Sequence, residues 1–316
     1  MCILLASTES PDYPFILLSN RDEYFRRPTE NARFRPLSNR HILSPADLGR
    51  AEHGTWIGVD TTGKLAVLVN YRESDDLNVI SEVSRGIIPV DYLSSDLSDE
   101  EWYDNLEKSL ALRIVGKKVD SIPLRRVGGF SLLYGQLKLN DSGKINKLNI
   151  ISNRGDKGTV FDFDSPPDHF HSNDTTIGLS NSLFYEPWNK VHLGRRALHE
   201  VINKSTEQHY TQQQLVEELF KVLSTNSYDQ SFANKSMKDK LLGLRDTICV
   251  PPLETQFTDK ELNDTIGKYY GTRTQTIILL DKHGVLHYYE KVLYSSDDLA
   301  APGSGYQHFT VNVAKQ

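Results

Sequence analysis

Residues 1–23 read MCILLASTESPDYPFILLSNRDE. Two apolar runs, Ile3–Ala6 and Phe15–Leu18, flank a segment rich in turn formers, which predicts an antiparallel hairpin. Neither run alternates with polar residues, so both faces of the pair are expected to be covered. In an antiparallel pair the start of one strand faces the end of the next. A turn centred near Ser10–Asp12 puts Cys2 opposite Asn20–Asp22. The end of the second strand therefore brings Asn20, Arg21, Asp22 and Glu23 beside the cysteine.

Cys2 has two readings. If Met1 is removed, its thiol and a free α-amine share one residue, a nucleophile with a built-in base titrating near ~7.7–8.0. The alternative is a small apolar residue that starts a buried strand. A nearby cation would lower the thiol pKa, and a carboxylate could orient an α-ammonium. Arg21 and Asp22 are adjacent and point to opposite faces of a regular strand. Both can reach Cys2 only where the strand ends or bulges; otherwise they form an ion pair closing a hairpin end.

Further hairpins are predicted over residues 55–70, 129–153 and 274–293, with a closing strand at 305–313. Helices are predicted over 98–115, 188–203 and 211–224. Ser98 with Glu101, and Thr211 with Gln214, have capping-box spacing, and Val191, Leu198, Val201 and Ile202 fall near one helix face. Polar stretches at 31–53, 73–84, 224–240 and 295–305 read as surface loops. No repeat or linker divides the chain. Segregated hairpins and helices give an α+β class, and two stacked sheets between helical layers fit it. Asn70, Arg72, Asn153, Arg154 and Asn181 follow apolar strands, and Arg273 precedes one. The asparagines read either as ordinary turn residues or as amide donors for an oxyanion.

Charged residues are 25% and apolar residues 38% of the 316, which is ordinary for a globular protein. A net charge of −6 gives no footprint for nucleic acid. Two distant cysteines make no disulfide framework, so a reducing compartment is expected. No targeting segment or transmembrane span is predicted. No spacing suggests a zinc site or a phosphate-binding glycine loop, and His169 and His171 around Phe170 read as surface residues.

Taken together, the segments resemble one family along nearly the whole chain. They are "MCI", "NRDE" at Asn20–Glu23, "GTWIG" at 54–58, "VNYR" at 69–72, "SRG" at 84–86, "GFSLLYG" at 129–135, "SNRG" at 152–155, "GLSNS" at 178–182, "PWNKV" at 187–191 and "GTRTQT" at 271–276. The family is the Transport and Golgi organisation protein 2, or NRDE, family. The resemblance implies one domain over 1–316 with surface-loop insertions. It also implies an N-terminal-nucleophile (Ntn) hydrolase-like four-layer αββα sandwich.

A more distant resemblance, to cysteine Ntn amidases of the bile salt hydrolase and penicillin V acylase type, implies a site of Cys2, Arg21, Asp22, Asn70, Asn181 and Arg273. Cys2 would be the nucleophile, and Asn70 and Asn181 the oxyanion donors. Those amidases carry two residues between their Arg and Asp, whereas Arg21 and Asp22 are adjacent.

The family resemblance favours a role in Golgi organisation and secretion, haem trafficking, or lipid and acyl-CoA homeostasis. The alternative is an amidohydrolase or thioesterase using Cys2. No cofactor is required on either reading. Haem, or an acyl lipid, is the small hydrophobic ligand implied. The expected location is cytoplasmic, with Golgi or mitochondrial association, and the oligomeric state stays open.

Overall fold

A computed structural model describes residues 1–37, 39–72, 84–115, 120–155, 157–168, 170–232, 235–255, 267–300 and 302–313. In chain order the elements are β1 (Ile3–Ser7), β2 (Phe15–Tyr24), β3 (Thr29–Leu37), β4 (Arg40–Asp47), β5 (Ile57–Asp60) and β6 (Lys64–Asn70). Helices α1 (Ile87–Leu93) and α2 (Asp99–Val115) follow, then β7 (Phe130–Gln136), β8 (Leu148–Ser152), β9 (Lys157–Val160), β10 (His171–Ser172) and β11 (Thr176–Ser180). The chain continues through α3 (Asn189–Glu207), α4 (Gln212–Leu223) and α5 (Met237–Gly243) to β12 (Leu253–Glu254), β13 (Tyr269–Leu280), β14 (Val285–Val292) and β15 (Gln307–Asn312). The class is α+β, as expected.

The contacts divide the chain into two compact units. The first holds Met1–Arg27, Leu139–Ile145 and Asp174–Ala314. Its sheet runs β11-β1-β2-β13-β14-β15, with β12 paired to β13, all antiparallel. Helices α3 and α4 cover one face. Ile3, Leu5, Ile16, Leu18, Ile277 and Leu279 pack there against Val191, Leu198, Leu215 and Leu219. Leu4, Ala6, Phe15, Leu17, Ile278 and Leu280, which alternate with them, are equally buried. Burial on both faces accounts for the missing polar alternation. The capping box at Thr211 and Gln214 is present and starts α4.

The second unit holds Pro28–Lys138 and Asn146–Asn173. Its sheet runs β10-β9-β8-β7-β6-β5-β4-β3, antiparallel except between β10 and β9. Helices α1 and α2 pack on it through Ile88, Tyr92, Trp102, Leu106 and Leu110. Ser98 and Glu101 cap α2 reciprocally, with Ser98 N–H to Glu101 Oε2 at 3.0 Å.

Residues 31–53, read as a loop, instead contain most of β3 and all of β4. In β3 the arginines Arg33 and Arg35 interrupt the apolar pattern and Arg33 is exposed, as suits a charged edge strand. The 224–240 stretch also holds a 3-10 turn at Gln230–Phe232 and the start of α5. Residues 73–83 of the second expected loop, and His169, lie outside the described residues.

Candidate active site

Of the expected site residues, Cys2, Arg21, Asp22, Asn181 and Arg273 belong to the first unit and Asn70 to the second. Strand β1 lies between β11 and β2, with Ile3 opposite Ser180 on one side and Asn20 on the other. One residue earlier the same registers set Cys2 between Asn181 and Arg21. Strand β13 pairs Asp22 with Thr272 and Arg21 with Thr274, leaving Arg273 as the extra residue of a bulge. One end of the sheet therefore gathers Asn181, Cys2, Arg21, Asp22 and Arg273 on four neighbouring strands. Asn70 is the exposed last residue of β6, in the second unit.

The four residues of "NRDE" do different things. Asn20 is fully buried, and its amide donates to the carbonyls of Leu223 (2.8 Å) and Ile248 (3.0 Å), anchoring the end of α4 and the segment before β12. Arg21 lies 3.7 Å from Glu23 Oε2, which also faces Arg27 at 3.6 Å. Asp22 turns to the chain start. Its Oδ2 is 2.9 Å from the Met1 ammonium, and its Oδ1 accepts from Thr272 Oγ1 at 2.6 Å. The same ammonium donates to the Tyr270 hydroxyl, which itself donates to the Asp22 carbonyl at 3.3 Å. The Asp22 main chain also adjoins the Cys2 sulfur.

Lys190, in the first turn of α3, completes the arrangement. It has no solvent exposure, and Nζ donates to the Met1 carbonyl at 2.6 Å. The Met1 side chain packs with Tyr228, Leu244, Val250 and Leu253, and Trp188 borders the cluster. Cys249 is held by its N–H to the Thr225 carbonyl at 2.9 Å, and its thiol interacts with Thr272. Arg273 Nε donates to the Phe25 carbonyl at 3.1 Å, while its own carbonyl accepts from Leu293 N–H at 2.8 Å. Asn181 is buried. In the second unit, Asn153 is a turn residue: its amide donates to the carbonyls of Leu124, Val127 and Gly128, and its Oδ1 accepts from Phe130 N–H.

Burial sets the titration of the site. It lowers the pKa of the Met1 amine, with Asp22 opposing, and it lowers that of Lys190. Part of Cys2 reaches solvent, but its surroundings are dense, and burial pushes the thiol up. Burial likewise pushes Cys249 up to about 11 and Tyr270 well above the usual tyrosine range. With Met1 in place, then, burial disfavours the charged form of both groups, and the Asp22 carboxylate opposes it at the amine. Both cysteines are free. Among the described residues no group of three or more His, Cys, Asp or Glu side chains could hold a metal ion, and no helix is long and apolar enough to cross a membrane.

Sequence reading did not find Lys190, Tyr270 and Thr272. A signal existed for Lys190: with Gly194 and Leu198 it falls at i, i+4, i+8 on the apolar face of α3, where a lysine needs a partner. Thr272 and Tyr270 lie in the "GTRTQT" strand, whose pairing with β2 no local pattern specifies.

The family model described as Transport and Golgi organisation 2 matches residues 1–295. The chain is 31% identical to an uncharacterised protein of Saccharomyces cerevisiae, over 94% of each chain. It is 29% identical to the Transport and Golgi organization protein 2 homolog of Bos taurus, covering 90% of this chain and 88% of that one. Among solved structures it is similar to penicillin V acylase from Agrobacterium tumefaciens, with 13% identity, a TM-score of 0.45, and coverage of 100% of this chain and 88% of the acylase.

Proposed function

The chain belongs to the Transport and Golgi organisation 2 family, and from its site we propose that it works as an N-terminal-cysteine acyl hydrolase on an amide or thioester. One observation carries this reading: a buried carboxylate, Asp22, receives the ammonium of the chain start beside the Cys2 thiol. A buried ion pair contributes little net stability compared with apolar packing, so its presence there favours a positioned amine. With Met1 removed, the amine becomes that of Cys2. The sulfur attacks the carbonyl carbon, and the α-amine takes the thiol proton and passes it to the leaving amine or thiol. Water then cleaves the acyl–sulfur bond. Asn181, one register step from Cys2, is the oxyanion donor in this scheme, and Arg21 and Arg273 hold the surrounding strand ends.

A second reading is supported by the apolar cluster at Met1: a carrier that holds an acyl lipid or haem without turnover, in service of lipid handling, haem trafficking, secretion and Golgi organisation. A cytoplasmic location with Golgi or mitochondrial association belongs to this same proposal. The test uses protein released from a cleavable fusion so that Cys2 is the first residue, verified by intact mass. Turnover of amide or thioester probes by this form, lost in Cys2→Ala and in the Met1-bearing form, is expected. Turnover surviving Cys2→Ala, or none in the processed form, would sink the hydrolase reading and leave the carrier.

A further inference from the structure

Lys190 is a fully buried charged side chain near Cys2, and the scheme above gives it no work. Its backbone N–H is fixed to the Arg245 carbonyl at 2.9 Å, and its ammonium donates to the Met1 carbonyl oxygen at 2.6 Å. An ammonium only donates, so whatever faces Nζ must present an acceptor. Behind that oxygen the methionine side chain fills an apolar cluster formed by Tyr228, Leu244, Val250, Leu253 and Trp188. Met1 is chemically an acyl group carried by Cys2, on its nitrogen. Acyl groups on the nitrogen and the sulfur of an N-terminal cysteine exchange through a five-membered ring. The two positions therefore lie within reach of one pocket.

We propose that Lys190 and this cluster are the acyl-side subsite of the Cys2 centre, taking a carbonyl oxygen at Nζ and a short unbranched apolar chain behind it. The proposal rests on the hydrolase reading. Removal of Met1 takes away both the acceptor facing Nζ and the chain filling the cluster, and an acyl substrate restores both together. A methionyl group sets the chain length at about six carbons. The Sγ–carbon bond forms as the carbon–nitrogen or carbon–sulfur bond of the substrate breaks. The thiol proton reaches the leaving group through the α-amine. In the second step a water oxygen–carbon bond forms, the carbon–Sγ bond breaks, and a water proton returns to the sulfur. Lys190 gives up no proton; it donates to the oxygen while that oxygen carries negative charge. Burial, which lowers its pKa, removes competing water and strengthens that bond.

The experiment measures acylation of processed protein by the N-acetylcysteamine thioesters of acetic, hexanoic and dodecanoic acids, following thiol release and intact mass. Wild type should favour hexanoyl. Lys190→Met, which keeps length and apolar volume, should lose about 10²-fold in kcat with KM little changed. Leu253→Trp, which narrows the cluster, should cut hexanoyl turnover more than acetyl turnover and so reverse the preference. Hexanoate, but not acetate, should slow iodoacetamide labelling of Cys2 in wild type, a readout that needs no variant to fold. Acylation without chain preference, or at an unchanged rate in Lys190→Met, would overturn the subsite and leave the hydrolase reading standing. If processed wild type accepts no thioester at all, the hydrolase reading fails and takes the subsite with it.

Discussion

Asp22 has both carboxylate oxygens engaged, one by Thr272 and one by the chain's ammonium, and its side chain is fully buried. Asp22→Asn keeps the shape but leaves a buried ammonium without a counter-charge, which should destabilise by about 3–5 kcal/mol in urea titrations of Met1-bearing protein. A loss below about 1 kcal/mol would mean that the pair is solvated in solution. The thiol beside it gives a pH test. In Met1-bearing protein burial raises the Cys2 pKa above its ordinary value of 9.0. Its alkylation rate should therefore climb about tenfold per pH unit from about pH 7 to about pH 9 without levelling. In processed protein the free α-amine can take the thiol proton, and the profile should level near the ordinary amine range, about pH 8. Superimposable profiles, resolved for Cys2 by peptide mapping, would show that the amine and the thiol do not communicate. At this scale the hairpin register was legible, because two apolar runs and a turn set which residues face Cys2. The division of labour within "NRDE" was not. Alternation says that Asn20 and Asp22 share a face, but only the carbonyls of Leu223 and Ile248 make one of them an anchor.

Elements were legible where local chemistry marks them. Helices α2 and α4 announce themselves by reciprocal caps, and the β13–β14 hairpin by its turn, where Asp281 Oδ1 accepts from His283 and Val285 N–H and Gly284 takes φ 75°. Strand β3 was hidden by its arginines, and the order β11-β1-β2-β13 was beyond any local pattern because its partners are separated by up to most of the chain. Close approaches of backbone were likewise invisible, and they explain two glycine motifs. In the second unit, a Cβ on Gly54 of "GTWIG" would sit 2.4 Å from the carbonyl carbon of Gly86 of "SRG", whose oxygen accepts from Thr55 N–H at 2.9 Å. Neither backbone can yield cheaply, so Gly54→Ala should cost about 3 kcal/mol. In the first unit a Cβ on Gly194 would press into Leu5, 2.6 Å from Cδ1, where α3 meets β1. Side-chain atoms can shift, and alanine gains up to about 1 kcal/mol of helix propensity, so Gly194→Ala should cost less than Gly54→Ala. Gly305→Ala, with no atom near its Cβ, should stay within about 0.5 kcal/mol of wild type. Chemical denaturation of the three variants checks the ranking; a neutral Gly54→Ala would refute the contact.

At the scale of the whole molecule, the first unit is assembled from distant segments: β1 and β2 come from the start of the chain, and α3, β12 and β13 from its second half. The site therefore forms only when the chain ends of that unit have met, and Met1 is part of what holds them there. Its side chain belongs to a buried cluster, its carbonyl faces Lys190, and its amine faces Asp22. Removing it deletes a buried methionine, which costs about 2–5 kcal/mol when a core side chain is truncated. Transfer of the ion pair to the Cys2 amine offsets part of that loss. Processed protein should accordingly melt below the Met1-bearing form. An apolar ligand that fills the cluster should return about 2.7 kcal/mol at a hundredfold excess over its Kd. The comparison needs two samples of the same chain, with and without Met1, melted with and without hexanoate. Equal melting temperatures in the absence of ligand would show that Met1 contributes nothing to the fold. A hexanoate response as large in the Met1-bearing form would place the ligand elsewhere on the molecule. The expected pattern is a lower melting temperature on processing that hexanoate raises in the processed form alone.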